Sequence, residues 1–220
     1  MVYNEFRITP EEFSFRDLWF AMGYRDAEPE EGIRQMAEKI VGRLVPAATM
    51  KYMYRVVPAG KVSGRQVLLD GVLFTPEGII CSYLDGMESA CVFVATAGRE
   101  FDAELKRLHQ EGDIVGDFIG DSIGTVLAEL AVSRIEDCFL PMDRHSMSYS
   151  PGYCNWNIKE QQIFFPLFPP EPCGIRLSEA SLMCPEKSVS GFFAMGEHLV
   201  RQPYHCQICK NTKCYKRRNA

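Results

Sequence analysis

Apolar residues recur at helical spacing in three stretches of the chain. Between Glu31 and Leu44, the residues Ile33, Met36, Ala37, Ile40, Val41 and Leu44 share one face. A longer stripe from Asp113 to Cys138, carried by Ile119, Ile123, Val126, Leu127, Leu130, Ile135 and Cys138, predicts the central core helix. Gly120 and Gly124 inside it either admit a close neighbour or divide the helix in two. The third stretch, Arg99 to Gln110, returns to the same spacing through Phe101, Leu105 and Leu108.

Strand patterns fill the gaps. Residues 54–74 read as short strands, with Asp70-Gly71 as a two-residue hairpin turn. Thr75, Pro76 and Glu77 supply a cap, a first-turn proline and an acidic first turn, predicting a short helix from Pro76 to Leu84. Residues 90–98 form a continuous apolar run suited to a strand buried on both faces. A cap at Asn155 or Asn157 starts a helix through Ile158, Gln162 and Leu167 that Pro169-Pro170 stops. Residues 188–196 read as a strand with Gly191 as a bulge or a point of close approach. The segment 173–191 reads as helix, turn and strand, broken at Pro185. The mixture is α+β. The expected division is an N-terminal helical segment over 1–50, an α+β core over 51–200 and a cysteine-rich tail over 201–220.

At 220 residues, with 46% hydrophobic and 24% charged content, the chain is long enough to bury a sizeable core. A net charge of −5 argues against a general nucleic-acid binder, despite the locally basic end. No apolar run approaches the ~20 residues that span a bilayer, and the first residues lack the plan of a signal peptide, so a cytoplasmic location without a membrane partner is expected. Nine cysteines, an odd number in a long chain, suit buried thiols and metal ligands better than a disulfide scaffold.

The densest chemistry lies at the end, where Cys206, Cys209 and Cys214 are spaced C-x2-C-x4-C. Three thiolates beside Lys210, Lys213, Lys216 and Arg217 suit a soft metal, either zinc or an iron–sulfur cluster. His205, Cys184, Cys173 or Cys154 is the candidate fourth ligand. Hydrolase and nucleotide-triphosphate signatures are missing: there is no G-x-S-x-G, H-E-x-x-H or P-loop. Two other segments stand out. Pro151 and Gly152 set Tyr153 on a bend, as a contact surface or as cover for the core edge. In the second, Ser188, Ser190 and Gly191 offer hydroxyls and backbone to a ligand and Glu179 offers a carboxylate to a cation.

Together these segments resemble the activation domain of cobalamin-dependent methionine synthase, in a free-standing form. Pro151-Gly152-Tyr153 matches the family's R-x-x-P-G-Y element, and Leu177-Ser178-Glu179-Ala180-Ser181 with Met183, Pro185 and Ser188-Val189-Ser190-Gly191 matches its L-T-E-S, M-x-P and S-V-S-G element. The resemblance covers residues 110–195, and the layout of Val56 to Gly98 is similar to short activation-domain relatives. It implies a single curved α+β domain, with a mixed, largely antiparallel twisted sheet and flanking helices, that binds S-adenosylmethionine and docks on the cobalamin of a separate corrinoid-binding methionine synthase or related methyltransferase. An electron donor such as flavodoxin or ferredoxin would serve this reductive reactivation. The resemblance further implies Tyr153 as the residue facing the corrin, with Pro151, Gly152, Ser188, Ser190, Gly191 and Phe193 around the ligand. Glu129 would be an acidic contact, joined by Glu179. The family's arginine falls on Ser148, so the guanidinium for the methionyl carboxylate is absent there, with Arg144 or Arg176 as substitutes. The alternative is a non-catalytic corrinoid-protein adaptor or an iron–sulfur or zinc electron-transfer module.

Overall fold

A computed structural model describes residues 1–25, 27–139, 144–199 and 201. Its frame is the strand β2 (Met50–Ser63), whose 14 residues are long enough to serve two neighbours on one edge. The first half pairs β1 (Val2–Phe6) and the second pairs β3 (Gln66–Leu69). On its other edge β2 pairs β5 (Ser89–Thr96), which in turn pairs β8 (Ser188–Met195). With β4 (Val72–Phe74) beyond β3, the order is β4-β3-β2-β5-β8, and every described pairing is antiparallel. The β3–β4 turn is the expected Asp70-Gly71 pair, with φ of 53° and 78°. Positive φ at both central positions is the type I′ geometry that matches the strand twist.

Both faces of this sheet are covered, which explains the unbroken apolar run of β5. Cys91, Phe93 and Ala95 point to a layer built by α2 (Glu31–Leu44), α4 (Arg99–Gln110) and α5 (Ile114–Asp137). Ala90, Val92 and Val94 point the other way, against Tyr149, Trp156, Phe164 and the short helix α3 (Glu77–Cys81). Helix α5 runs unbroken for 24 residues from its Asp113 cap, whose side chain accepts from the Val115 N–H at 3.1 Å. Its glycines are contact points: a Cβ at Gly120 would meet Leu105 and Leu108 of α4, and one at Gly124 would meet Phe101 and Lys187.

Three local expectations differ from the structure. Helix α3 is one turn, not nine residues: Pro76 stands at its N-terminal boundary, no side chain caps it, and Glu77 enters it with a positive φ of 67°. Residues before Met50 contribute the edge strand β1 as well as α1 (Phe15–Ala21) and α2. The helix expected after Cys173 is instead a small hairpin, β6 (Arg176–Leu177) with β7 (Met183–Cys184). Its turn is closed by serines that bond their own backbone: Leu182 N–H donates to Ser178 Oγ at 3.1 Å and Ser181 N–H to Ser178 O at 2.9 Å. Such bonds compete directly with a helical ladder. No helix among the described residues is long and apolar enough to cross a membrane.

Candidate functional site

The extended segment 145–150 lies along β8. Tyr149 and Phe192 exchange both backbone hydrogen bonds, at 2.8 and 2.9 Å, and Ser146 N–H donates to Ala194 O at 2.9 Å. Gly191 permits this approach, since a Cβ there would fall on the Tyr149 carbonyl oxygen. The interface is buried: Ser190 donates to Gln161 Oε1 at 3.2 Å, and Ser150 is buried as well. Phe193 is fully buried, packed edge-on against Phe139 at 5.1 Å and beside Phe93 and His145. Close approach, not a bulge, is therefore the reason for glycine at 191.

The turn that follows presents its aromatics unequally. Gly152 adopts φ 98°, and its N–H bonds Trp156 O at 2.8 Å while Trp156 N–H bonds Tyr153 O at 2.7 Å. Trp156 is buried against Phe74 and Phe192, with its indole N–H on Glu160 Oε2 at 2.6 Å. Tyr153 stays half-buried on the outer side of the same turn. One ring thus covers the core edge and the other meets solvent in part.

A cavity lined by described residues opens beside the 145–150 segment, at Met147 and Ser148. It measures about 470 Å³, within the ~300–1,000 Å³ common for small-ligand pockets. Three elements and one side chain build it. Helix α1, capped by Ser14 through the Asp17 N–H at 3.2 Å, contributes Asp17, Phe20 and Ala21. Helix α5 contributes one stripe through Val126, Glu129, Ser133 and Glu136, the helical spacing that places them in line. Met147 and Ser148 form the third side, and Arg201 closes the end. Glu12, tied to the Thr9 N–H at 2.8 Å, and Phe13 complete the α1 side.

This cavity mixes apolar walls with charge. Four carboxylates, of Glu12, Asp17, Glu129 and Glu136, face one guanidinium, that of Arg201. Arg201 Nη2 donates to Glu136 Oε2 at 2.9 Å and Nε to Met147 Sδ at 3.2 Å. Such a surface favours a cationic ligand with an apolar body and one anionic group.

Of the residues singled out by sequence, the structure brings Glu129 and Ser148 into this cavity. Pro151, Gly152 and Tyr153 follow on the adjoining turn, outside the lining. Ser190, Gly191 and Phe193 sit in the packed β8 interface. Ser188 is at the start of β8, bonded to Thr96 Oγ1 at 2.9 Å and Pro185 O at 2.7 Å. Glu179 is exposed on the β6–β7 turn. Asp17, Glu136 and Arg201 were missed. Glu136 shares a stripe with Glu129 seven residues earlier, a signal eclipsed by the apolar pattern of α5; Arg201 gave none.

Metal chemistry finds no support in the described part. Among the described residues no group of three or more His, Cys, Asp or Glu side chains can hold an ion. Burial pushes the Cys173 thiol up to about 12 and raises that of Cys91 further, which opposes the thiolate a metal needs. Cys206, Cys209, Cys214 and the candidate ligand His205 lie outside the described residues.

No family model and no curated protein matches the chain. Among solved structures it is similar to a crystal structure of the MetH reactivation domain bound to AdoHcy. The TM-score is 0.60 at 16% identity, over 89% of this chain and 79% of that one. That likeness establishes a fold shared with the reactivation domain, as the α+β expectation held.

Proposed function

We propose that this chain binds S-adenosylmethionine in the cavity between α1 and α5 and serves the reductive reactivation of a corrinoid methyltransferase carried by a separate protein. The observation that carries the reading is the cavity itself: a mixed-charge pocket containing Glu129 and Ser148, on a fold whose solved counterpart holds AdoHcy. Its four carboxylates suit the sulfonium and ammonium charges, and Phe13, Phe20 and Leu130 suit the adenosine and thioether. The partner's cobalamin would supply a reduced cobalt as the methyl acceptor, with the electron coming from a flavodoxin- or ferredoxin-class donor and S-adenosylhomocysteine left as the thioether product. The chain's share is to hold the sulfonium in line with the cobalt, turning an encounter into an oriented transfer. Tyr153, half-exposed on the rigid Pro151-Gly152 turn, is the residue proposed to meet the corrin. The cysteine-rich end is proposed as a zinc or iron–sulfur element that aids docking or electron delivery.

Calorimetric titration of purified protein with S-adenosylmethionine tests the reading. One saturable site is expected, weakened about tenfold by Glu129→Gln, consistent with a charge-assisted contact. No binding at millimolar ligand overturns it. The second reading, a corrinoid-protein adaptor or electron-transfer module without a methyl donor, is favoured by the serine at 148. It requires a cluster or zinc signal in anaerobically purified protein together with no S-adenosylmethionine binding.

A further inference from the structure

We infer that Arg201 is the anion anchor of the cavity: it takes the carboxylate of an α-amino-acid group at the ligand's end, and so selects ligands that carry one. The inference rests on the cavity being the S-adenosylmethionine site. Among the described residues that line the pocket, Arg201 is the single cationic side chain, in a lining otherwise charged by carboxylates. It is held but reachable, with 32% of its side chain exposed. Glu136 takes Nη2 and the thioether of Met147 takes Nε, while Nη1 makes no hydrogen bond among the described residues. A thioether is a weak acceptor, so the Nε contact is readily exchanged for a carboxylate oxygen. Nε and one terminal nitrogen of a guanidinium form the planar fork that carboxylates bind two-pronged.

The neighbours complete the chemistry. Glu136, within 2.9 Å of Arg201, is 15% exposed and lines the same wall. A zwitterionic amino-acid group can lie across this pair, its carboxylate on Arg201 and its ammonium on Glu136, exchanging one ion pair for two. Ser148, next in the chain to Met147, lines the same corner and offers a hydroxyl but no positive charge. The charge for that corner therefore comes from the segment after β8, more than 50 residues along the chain.

The test compares two ligands that differ only in the carboxylate: S-adenosylmethionine and its decarboxylated form, titrated into the full chain. The unsubstituted protein should bind S-adenosylmethionine about 10- to 100-fold more tightly, the range of a charge-assisted hydrogen-bonded pair. Arg201→Ala should bring the ratio close to one, and Arg201→Lys, which keeps the charge without the fork, should leave an intermediate ratio. The ratio is read within each variant, so general loosening of the fold lowers both affinities together and leaves it unchanged. An Arg201→Ala ratio equal to the unsubstituted one overturns the inference. So does equal binding of the two ligands by the unsubstituted protein, with the S-adenosylmethionine site left standing. Binding of neither ligand overturns the site and the anchor together.

Discussion

The segment 145–150 has two sides that behave in opposite ways. Tyr149 and Ser150 are buried at the joint with β8, whereas Met147 and Ser148 line an open, charged cavity. The regimes change between the adjacent residues Ser148 and Tyr149. On the first side, the small residues Ser190 and Gly191 serve backbone-to-backbone packing; on the second, polar residues from three distant segments converge on a space that remains. A serine–glycine strand signals that something approaches closely, and here that neighbour is the protein's own chain.

Substitutions separate the two sides by what they cost. The largest effect is expected at Phe193→Ala, which empties a fully buried aromatic site and should lower unfolding free energy by about 3–5 kcal/mol in denaturant titration. Gly191→Ala comes next, at about 1–3 kcal/mol, because the added methyl forces the 145–150 segment off β8. A neutral result there would mean the joint is loose and would erase the contrast. Ser190→Ala should cost about 1–2 kcal/mol by leaving Gln161 Oε1 without its described donor. In the cavity the pattern should reverse: Glu129→Gln should move stability by no more than about 0.5 kcal/mol while weakening S-adenosylmethionine binding. A loss of stability equal to that of the β8 variants would make the cavity wall structural.

The smallest effect concerns pH and lies away from both sides. Arg43, at 2.7 Å, and then Arg107, at 2.6 Å, hold the Glu104 carboxyl below its ordinary range. A lowered folded-state value contributes stability that is complete above the unfolded value of about 4.3 and is lost as pH falls through the folded one. Unfolding curves of Glu104→Gln and the unsubstituted chain should therefore differ slightly at pH 7 and converge in acid. High salt should shrink the same difference.

The elements were legible wherever local spacing decides. The stripes of α2, α4 and α5 and the Asp70-Gly71 turn lie within a few residues of where the pattern put them. Legibility failed where a side chain had a choice of backbone partner. Ser178 and Ser181 closed a hairpin in place of a helix, and Glu160, 85 residues away, binds the Thr75 N–H while no side chain caps the short helix that follows. At the site, Glu129 and Ser148 were pointed to by the family resemblance, while no sequence pattern singled out Asp17 or Glu136.

The amino-acid order alone determined the helices α2, α4 and α5 and the unbroken apolar run of β5, because periodicity acts through neighbours a few residues apart. Only the tertiary structure decided where a ligand-sized space remains. The cavity takes residues from 8–21, 125–136, 147–148 and 201, and nothing in the order of these segments says that their charges meet. They meet because α5 packs through its glycines onto α4 and presents its other stripe to α1, and because β8 returns the chain to Glu136. Long-range packing selects the sites that short-range pattern leaves undetermined.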